Sequence, residues 1–319
     1  MSPTSSSVLS PTWRLLPGIP IGILLLFLTQ PAHSDSVFVT AIADTTLIEI
    51  VPTNNMGGAW FVNAGTTEKF TRNRALLRFD LADQIPRGAT IRRVDFVIEV
   101  TGQPNNGFAR SSFGLHRALK PWGEGNQVAS DPLHPGLGAP ATTNEATWLD
   151  RFAFTTNRWT IPGGAFGNDY SPLVSAEEQI YGVGDSPYTF ASTPALVADV
   201  QTWLDDPTTN FGWILMSQVE QTNFTARRFA SREDAGRAPY LVIEYAPPRI
   251  DLVTVTNGQF NLTFAAQANQ AYTVEFRAGF SASDNWSILT NLAAPPTATN
   301  TIVSDCIANG RRFYRLRLP

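Results

Sequence analysis

The sequence predicts an all-β protein, with an antiparallel β-sandwich followed by a small, separate β-sandwich-like domain. Three observations predict this class. Residues 74–81 alternate between apolar and polar side chains, which is typical of a strand with one buried face. Charged residues make up only 16% of the chain, while 23 glycines and 23 prolines supply turns. No long segment has the 3.6-residue periodicity of an amphipathic helix.

The strand at residues 74–81 predicts a second layer. One of its faces is polar except for Leu76, and the other consists of Ala75, Leu77, Phe79 and Leu81. An apolar face needs a covering sheet, so this half-buried strand indicates a sandwich, which we expect to be jelly-roll-like. A turn at residues 84–89 leads to a second alternating run, whose expected inward side chains are Val94, Phe96, Ile98 and Val100.

The remaining elements are short. Further strands are expected at residues 36–50, with a break at Asp44, and at residues 60–64, 113–118, 188–190, 211–217, 225–231 and 240–245. Residues 195–204 have helical spacing and predict one or two turns of helix. Residues 102–168 are rich in turn-forming residues, and long loops of this kind in compact domains are often functional.

The chain is expected to have four parts. Residues 1–34 carry Arg14, an apolar run at 21–28 and a small-residue cleavage site, which together predict a signal peptide removed after Ser34. Because that run is too short to span a bilayer, we expect no membrane span in the mature chain, which would be secreted or held at the cell surface. The sandwich then occupies 35–246, a proline-rich linker 247–250 and the small C-terminal domain 251–319. Strands of the last part are expected around residues 259–264, 272–277, 286–289, 301–303 and 313–318.

Composition excludes several classes of function. The net charge is −4 and the arginines are scattered, which argues against a nucleic-acid partner. Cys306 is the only cysteine, so no intramolecular disulfide forms. His116 and His134 have no second ligand at zinc spacing.

An ordered series of short motifs resembles a known family. The motifs lie at residues 44–46, 54–58, 74–81, 85–91, 122–125, 146–148, 159–166, 210–213, 229–233 and 239–245. Over about residues 36–246 the series resembles the DNRLRE domain, a β-sandwich grouped with carbohydrate-binding module family ninety-six. That resemblance implies an exported, non-catalytic module associated with polysaccharides, possible polymers being acidic ones such as alginate or pectin. The tail is similar to small C-terminal β modules of exported planctomycete and verrucomicrobial proteins.

Four tryptophans in or beside the loop-rich regions are the candidate sugar-binding residues. A sugar ring stacks its C–H face on a flat aromatic side chain whose edge stays in water. The candidates are Trp60, Trp122, Trp148 and Trp159. The alternative for Trp148 and Trp159 is that they fix the long loop onto the sandwich.

Four oxygen-bearing side chains suggest a calcium hypothesis. Ca²⁺ prefers carboxylate and amide oxygens, which Asp44, Asn54, Asn55 and Asp80 offer. Their spacing matches no known calcium loop, and turn or strand-end roles are the alternative, because Asn and Asp bond their own backbone in turns. A structural Ca²⁺ is therefore possible, and no cofactor is required.

Three classes of function remain open. The first is a non-catalytic carbohydrate-binding protein, and the second is a structural or adhesive surface protein that binds other proteins. The third is a polysaccharide-degrading enzyme using paired carboxylates from Glu124, Glu145 and Asp150. We expect no catalytic residues, because the chain contains no Gly-x-Ser-x-Gly elbow of a serine hydrolase and nothing in the sequence places two of these carboxylates together.

Overall fold

The computed structural model describes residues 34–105, 110–256, 258–279, 285–306 and 312–318. The expected signal peptide lies outside these residues, apart from its last residue, Ser34. Residues 34–319 form one unit. In the described part, no helix is long and apolar enough to cross a membrane.

The N-terminal part is built from antiparallel strands and one α-helix. The described strands are β1 (Asp35–Ile48), β2 (Asn54–Asn55), β3 (Phe61–Thr66), β4 (Arg72–Phe79), β5 (Thr90–Ile98), β6 (Val100–Gly102), β7 (Ser111–Ala118), β8 (Ala139–Pro140), β9 (Tyr170–Ile180), β10 (Tyr188–Phe190), β11 (Trp213–Ser217), β12 (Arg227–Ala230) and β13 (Tyr240–Ala246). The α-helix is α1 (Pro194–Asp205), and single 3₁₀ turns lie at Pro135–Leu137, Val183–Asp185 and Pro207–Thr209. The all-β class and its antiparallel sandwich layers are confirmed.

One long strand joins the two layers. The first part of β1, Asp35 to Thr40, pairs with β13, and the second part, Ala41 to Ile48, pairs with β4. An irregularity between Ala41 and Ala43 lies where the strand changes partners. The order of paired strands is β10-β5-β13-β1-β4-β11-β7-β9. The expected break at Asp44 is wrong, because β1 continues through this residue to Ile48.

Both faces of β4 are buried, which corrects the expected half-buried strand. Ala75, Leu77 and Phe79 point into the main core, as their alternation predicts. Leu76, on the opposite face, joins a second apolar cluster that includes Trp122, Trp148 and Trp159. This cluster lies under the segment between β7 and β9, residues 119–169, which we call the long loop. The long loop therefore covers a sheet face that solvent would otherwise reach. Leu76 is apolar on an otherwise polar face because this loop covers it.

The helix and one edge strand differ from expectation in extent. Thr193 caps α1 by accepting the N–H of Leu196, and Pro194 follows the cap, where its missing N–H costs nothing. The helix has 12 residues, more than the one or two turns expected, and packs Trp203 into the core. The strand β9 was not expected from the sequence. It lies at the end of the sheet, where Pro172 and polar residues are tolerated, so it lacks an apolar pattern.

The C-terminal part forms two three-stranded sheets with a cluster of their own. Its described strands are β14 (Leu252–Thr256), β15 (Gln259–Ala266), β16 (Tyr272–Arg277), β17 (Ser287–Leu292), β18 (Thr299–Cys306) and β19 (Phe313–Arg317). The sheet orders are β14-β15-β18 and β17-β16-β19. Buried side chains such as Leu262, Phe264 and Tyr272 pack between them. Gln267 Nε2 donates to Thr90 Oγ1 at 3.1 Å, so this part also bonds to the first. The boundary at residues 247–250 stays a prediction.

Candidate functional site

Trp60 is the sequence-predicted aromatic residue that remains exposed. It lies just before β3, and 48% of its surface is accessible. Its ring meets the buried ring of Phe61 edge-on, with 5.0 Å between the centroids. The guanidinium of Arg228 lies over Phe61 at 4.6 Å from the ring centroid. Trp60 is therefore an exposed ring supported by a fixed aromatic neighbour.

A short turn after β12 lies beside Trp60. The backbone N–H of Ser231 donates to the Trp60 carbonyl at 3.3 Å, and its hydroxyl donates to the Ala59 carbonyl at 2.7 Å. Ser231 is fully buried, so these bonds fix the turn against the backbone of Ala59 and Trp60. The next two residues, Arg232 and Glu233, are thereby positioned near Trp60. We name Trp60, Glu124, Arg232 and Glu233 the Trp60 surface.

The charged groups of the Trp60 surface pair with one another. Arg232 donates to both carboxylate oxygens of Glu124, from Nε at 2.5 Å and from Nη2 at 3.1 Å. Its Nη2 also lies 3.0 Å from Glu233 Oε1. The hydrogen bonds that Arg232 donates to Glu124 raise the pKa of Arg232, while burial raises the pKa of Glu233. These groups thus present hydrogen-bonding atoms in fixed positions next to Ser231, which bonds the Trp60 backbone.

Asp44 lies beneath this surface and is fully buried. Its N–H donates to Glu124 Oε1 at 2.8 Å, and its Oδ2 accepts the N–H of Arg232 at 2.7 Å. Its Oδ1 has no hydrogen-bond partner among the described residues. Burial, followed by the nearby charges of Glu233 and Glu124, raises the pKa of Asp44 well above its ordinary value of 3.8. Asp44 therefore joins β1, the long loop and the turn after β12.

The raised pKa of Asp44 predicts a pH-dependent stability. Above pH 3.8 the unfolded chain ionises this carboxyl while the folded chain keeps it protonated, so folding takes up a proton. Stability contributed by this group therefore falls as pH rises from 3.8 through the folded-state pKa. We expect Asp44→Asn, which resembles the protonated acid, to flatten that slope. Urea unfolding of both proteins across this range measures it, and parallel curves would contradict the assignment.

The long loop is held by amide and carboxylate side chains. The Asn55 amide donates to the carbonyls of Glu124 and Ala146 at 2.7 and 2.9 Å, and its oxygen accepts the N–H of Gly57 at 2.9 Å. Glu145 accepts the N–H groups of Asn126 and Thr142. These bonds place Glu124 beside Arg232.

The structure buries three of the four predicted tryptophans. Trp122 donates its indole N–H to the Phe211 carbonyl at 2.8 Å, and Trp159 donates to the Thr147 carbonyl at 2.9 Å. Trp148 packs under Arg72 and Arg74, whose guanidinium carbons lie 5.3 and 5.5 Å from its ring centroid. With at most 4% of each residue exposed, none presents a ring face to a sugar. This corrects their assignment as binding residues, and Trp148 and Trp159 instead fix the loop.

The four predicted calcium ligands do not form one site. Asn55 Oδ1 and Asp44 Oδ2 accept backbone N–H groups, while the Asn54 amide donates to the Leu137 carbonyl. Asp80 is exposed and accepts the N–H of Ala82 at 2.9 Å, which is a turn role. Among the residues described, no group of three or more His, Cys, Asp or Glu side chains is arranged to hold a metal ion. The calcium hypothesis for this set is therefore not supported.

The carboxylates considered for glycoside hydrolysis have structural partners. Glu145 bonds loop N–H groups, Asp150 pairs with Arg158 at 3.2 Å, and Glu124 pairs with Arg232. The sequence suggested Glu124 only as one of these paired carboxylates, and it did not identify Arg232 or Glu233 as site residues. Charged residues are common in turns, and the only signal for this segment was the motif at residues 229–233.

Comparisons with known proteins add no assignment. No family model matches the chain. No curated protein is significantly similar to it.

Proposed function

We propose that this chain is an exported, non-catalytic polysaccharide-binding protein of the DNRLRE type, and that the Trp60 surface contacts the polymer. The observation that carries the proposal is a half-exposed tryptophan whose backbone is bonded by Ser231, the residue that immediately precedes a pair of charged side chains. Polysaccharide sites combine these two features, because sugar rings have apolar C–H faces and polar hydroxyl edges.

The charges around Trp60 favour a neutral polymer over an acidic one. Arg232 already pairs with Glu124 and Glu233, so it has no uncompensated charge to attract a uronate. An anionic chain would meet more carboxylates than guanidinium groups at this surface. We therefore propose neutral polysaccharides as the ligand class, with alginate and pectin as the comparison.

We expect Trp60→Ala to weaken polysaccharide binding by about tenfold or more, because exposed aromatic anchors dominate such contacts. The test is affinity electrophoresis of residues 35–319 in gels containing xylan, mannan, a soluble glucan, alginate or pectin, with calcium or with chelator. Trp60→Phe retains a ring and should keep most of the retardation.

Phe154→Ala is the matched control, since Phe154 is an aromatic residue on the long loop with 79% exposure. It should leave retardation unchanged. Absence of retardation in every gel, or equal retardation of the wild type and Trp60→Ala, would reject the proposal.

A second candidate is a structural or adhesive protein that binds other proteins at the cell surface. It is favoured by Phe38, which is 67% exposed on β1 and packs against Tyr240 with 6.0 Å between ring centroids. Exposed aromatic pairs of this kind occur at protein interfaces. Concentration-dependent association in analytical ultracentrifugation, abolished by Phe38→Ser and without glycan affinity, would favour this candidate.

A further inference from the structure

A basic face lies on the C-terminal part, on the sheet made of β17, β16 and β19. Arg315 of β19 stands opposite Glu275 of β16, and Arg317 follows two residues later on the same side of the sheet. Ile288 of β17 also stands opposite Glu275. Directly paired residues point to the same side of a sheet, so these side chains share one face. Leu316, between the two arginines, packs against the C-terminal core on the other face.

A tryptophan holds two arginines on this face. Trp286, immediately before β17, contacts both Arg277 and Arg315, whose guanidinium carbons lie 4.6 and 4.2 Å from its ring centroid. Contacts of this kind are attractive, so they restrict long side chains that would otherwise move freely. Stacking uses the flat side of a guanidinium, and the N–H edge can still donate. We name the outward side chains of this sheet the Arg315 face: Glu275, Arg277, Trp286, Ile288, Arg315 and Arg317.

The Arg315 face carries positive charge. Among its described residues, three guanidinium groups stand against one carboxylate, that of Glu275. Arg315 Nε donates to Glu275 Oε2 at 2.7 Å, whereas Arg317 Nη1 lies 3.6 Å from Oε1, beyond hydrogen-bonding distance. Only 5% of the Glu275 side chain is exposed, compared with 44% for Arg315 and 60% for Arg317. A ligand at this face therefore meets guanidinium groups and little of the carboxylate.

Two of the guanidinium groups converge. Arg315 and Arg317 approach the two oxygens of the same carboxylate, Glu275, so one acceptor group at the surface can reach both. A ligand carboxylate has two oxygens, whose paired geometry fits a single guanidinium. A sulfate ester has three acceptor oxygens and stays ionised, so it can bond both guanidinium groups together. This geometry favours a sulfate over a uronate.

The surroundings of the arginines suit a sugar polymer. Ile288 is 57% exposed and adds an apolar surface of the kind that a sugar C–H face contacts. On the same face, Thr273 Oγ1 donates to Asn291 Oδ1 at 2.9 Å, and the Asn291 amide adds N–H donors for sugar hydroxyls. A peptide, in contrast, usually joins a sheet along its edge through backbone hydrogen bonds.

We propose that the Arg315 face binds a sulfated polysaccharide, whose sulfate groups pair with Arg315 and Arg317. The inference goes beyond the proposed function and does not depend on the Trp60 surface, where one guanidinium meets two carboxylates. The two surfaces thus select polymers of different charge.

The experiment titrates residues 35–319 with chondroitin sulfate, dextran sulfate, unsulfated chondroitin or poly-glutamate in isothermal titration calorimetry. We expect saturable binding to at least one sulfated polymer, and weaker binding to the other two probes. Ile288→Glu places a carboxylate on the face and should weaken this binding about tenfold, the effect of losing a charge-assisted hydrogen bond. Ile288→Lys should strengthen it. Arg317→Gln removes an exposed guanidinium, keeps the pair between Arg315 and Glu275, and should weaken binding to a similar extent.

Ile302→Glu is the matched control. Ile302 is 64% exposed on β18 of the other sheet, so this variant changes the net charge equally and should leave binding unchanged. No saturable binding to either sulfated polymer would overturn the proposal, as would equal losses for Ile288→Glu and Ile302→Glu. Equal or tighter binding of unsulfated chondroitin would show that carboxylates suffice, and the same result with poly-glutamate would assign the face to an acidic protein; either overturns the proposal.

Trp60→Ala separates this inference from the proposed function. It should leave binding to the sulfated polymers unchanged, and a loss would overturn the inference. Sulfated-polymer binding that Ile288→Glu weakens, without retardation by any neutral polysaccharide, would reject the proposed function and keep this inference. Retardation by a neutral polysaccharide without binding to the sulfated polymers would do the reverse.

Discussion

Replacing Arg74 by alanine is expected to lower the free energy of unfolding by about 3–5 kcal/mol, because it breaks an ion pair in which both side chains are largely buried. Arg74 is buried between β4 and the long loop. It donates to both carboxylate oxygens of Glu220 at 2.7 Å and to the Gly163 carbonyl at 2.7 Å. Its guanidinium also covers Trp148, so the substitution removes packing together with the ion pair. Urea unfolding measures the change.

Arg158→Ala tests whether the effect is specific to the buried pair. Arg158 lies on the loop between β7 and β9 and pairs with Asp150. Because 71% of the Arg158 side chain is exposed, a much smaller loss of stability is expected. Combining Arg74→Ala with Glu220→Ala should restore part of the loss, because the second change removes the unpaired carboxylate. Equal losses for Arg74→Ala and Arg158→Ala would contradict the role assigned to Arg74.

Gly212→Ala is expected to destabilise the protein by about 2–5 kcal/mol, from the combined costs of a left-handed backbone and an overpacked contact. Gly212 has φ of +72° just before β11, and a Cβ there would collide with the backbone carbonyl oxygen of Leu77. The carbonyl belongs to the neighbouring strand β4 and cannot move without disturbing the sheet. Thermal and urea unfolding report the loss.

Gly167→Ala separates these two costs. Gly167 has a similar φ of +82°, but no atom lies within 4 Å of an added Cβ. Only the conformational cost of about 1–2 kcal/mol is therefore expected there. If both alanine variants lose the same stability, the collision with Leu77 contributes nothing and the packing argument for Gly212 is wrong.

The alternating pattern of β4 and β5 was sufficient to predict the main core, because a two-residue period assigns each side chain to a face. It did not reveal what covers the second face of β4. The loop between β7 and β9 has no periodicity, so its burial of Leu76 and Trp148 depends on long-range contacts that single-sequence reasoning does not contain.

The candidate site was predictable only in part. Trp60 and Trp148 have similar loop contexts in the sequence, yet one is half-exposed and the other buried. The difference arises from partners far along the chain: Arg74 covers Trp148, whereas Ser231 bonds only the backbone of Trp60. Arg232 was not identified, because its pairing with Glu124 requires the turn after β12 to meet the long loop.

The strand β1 also has a kinetic consequence. It is among the first segments of the sandwich in the chain, but its first half pairs with β13, which is the last strand of the sandwich. Closing such a long segment carries a high entropic cost before any contact is gained, and topologies of this kind fold slowly. The two layers are thus not joined along their full length until residues 240–246 have been made, so the sandwich remains incomplete through most of synthesis.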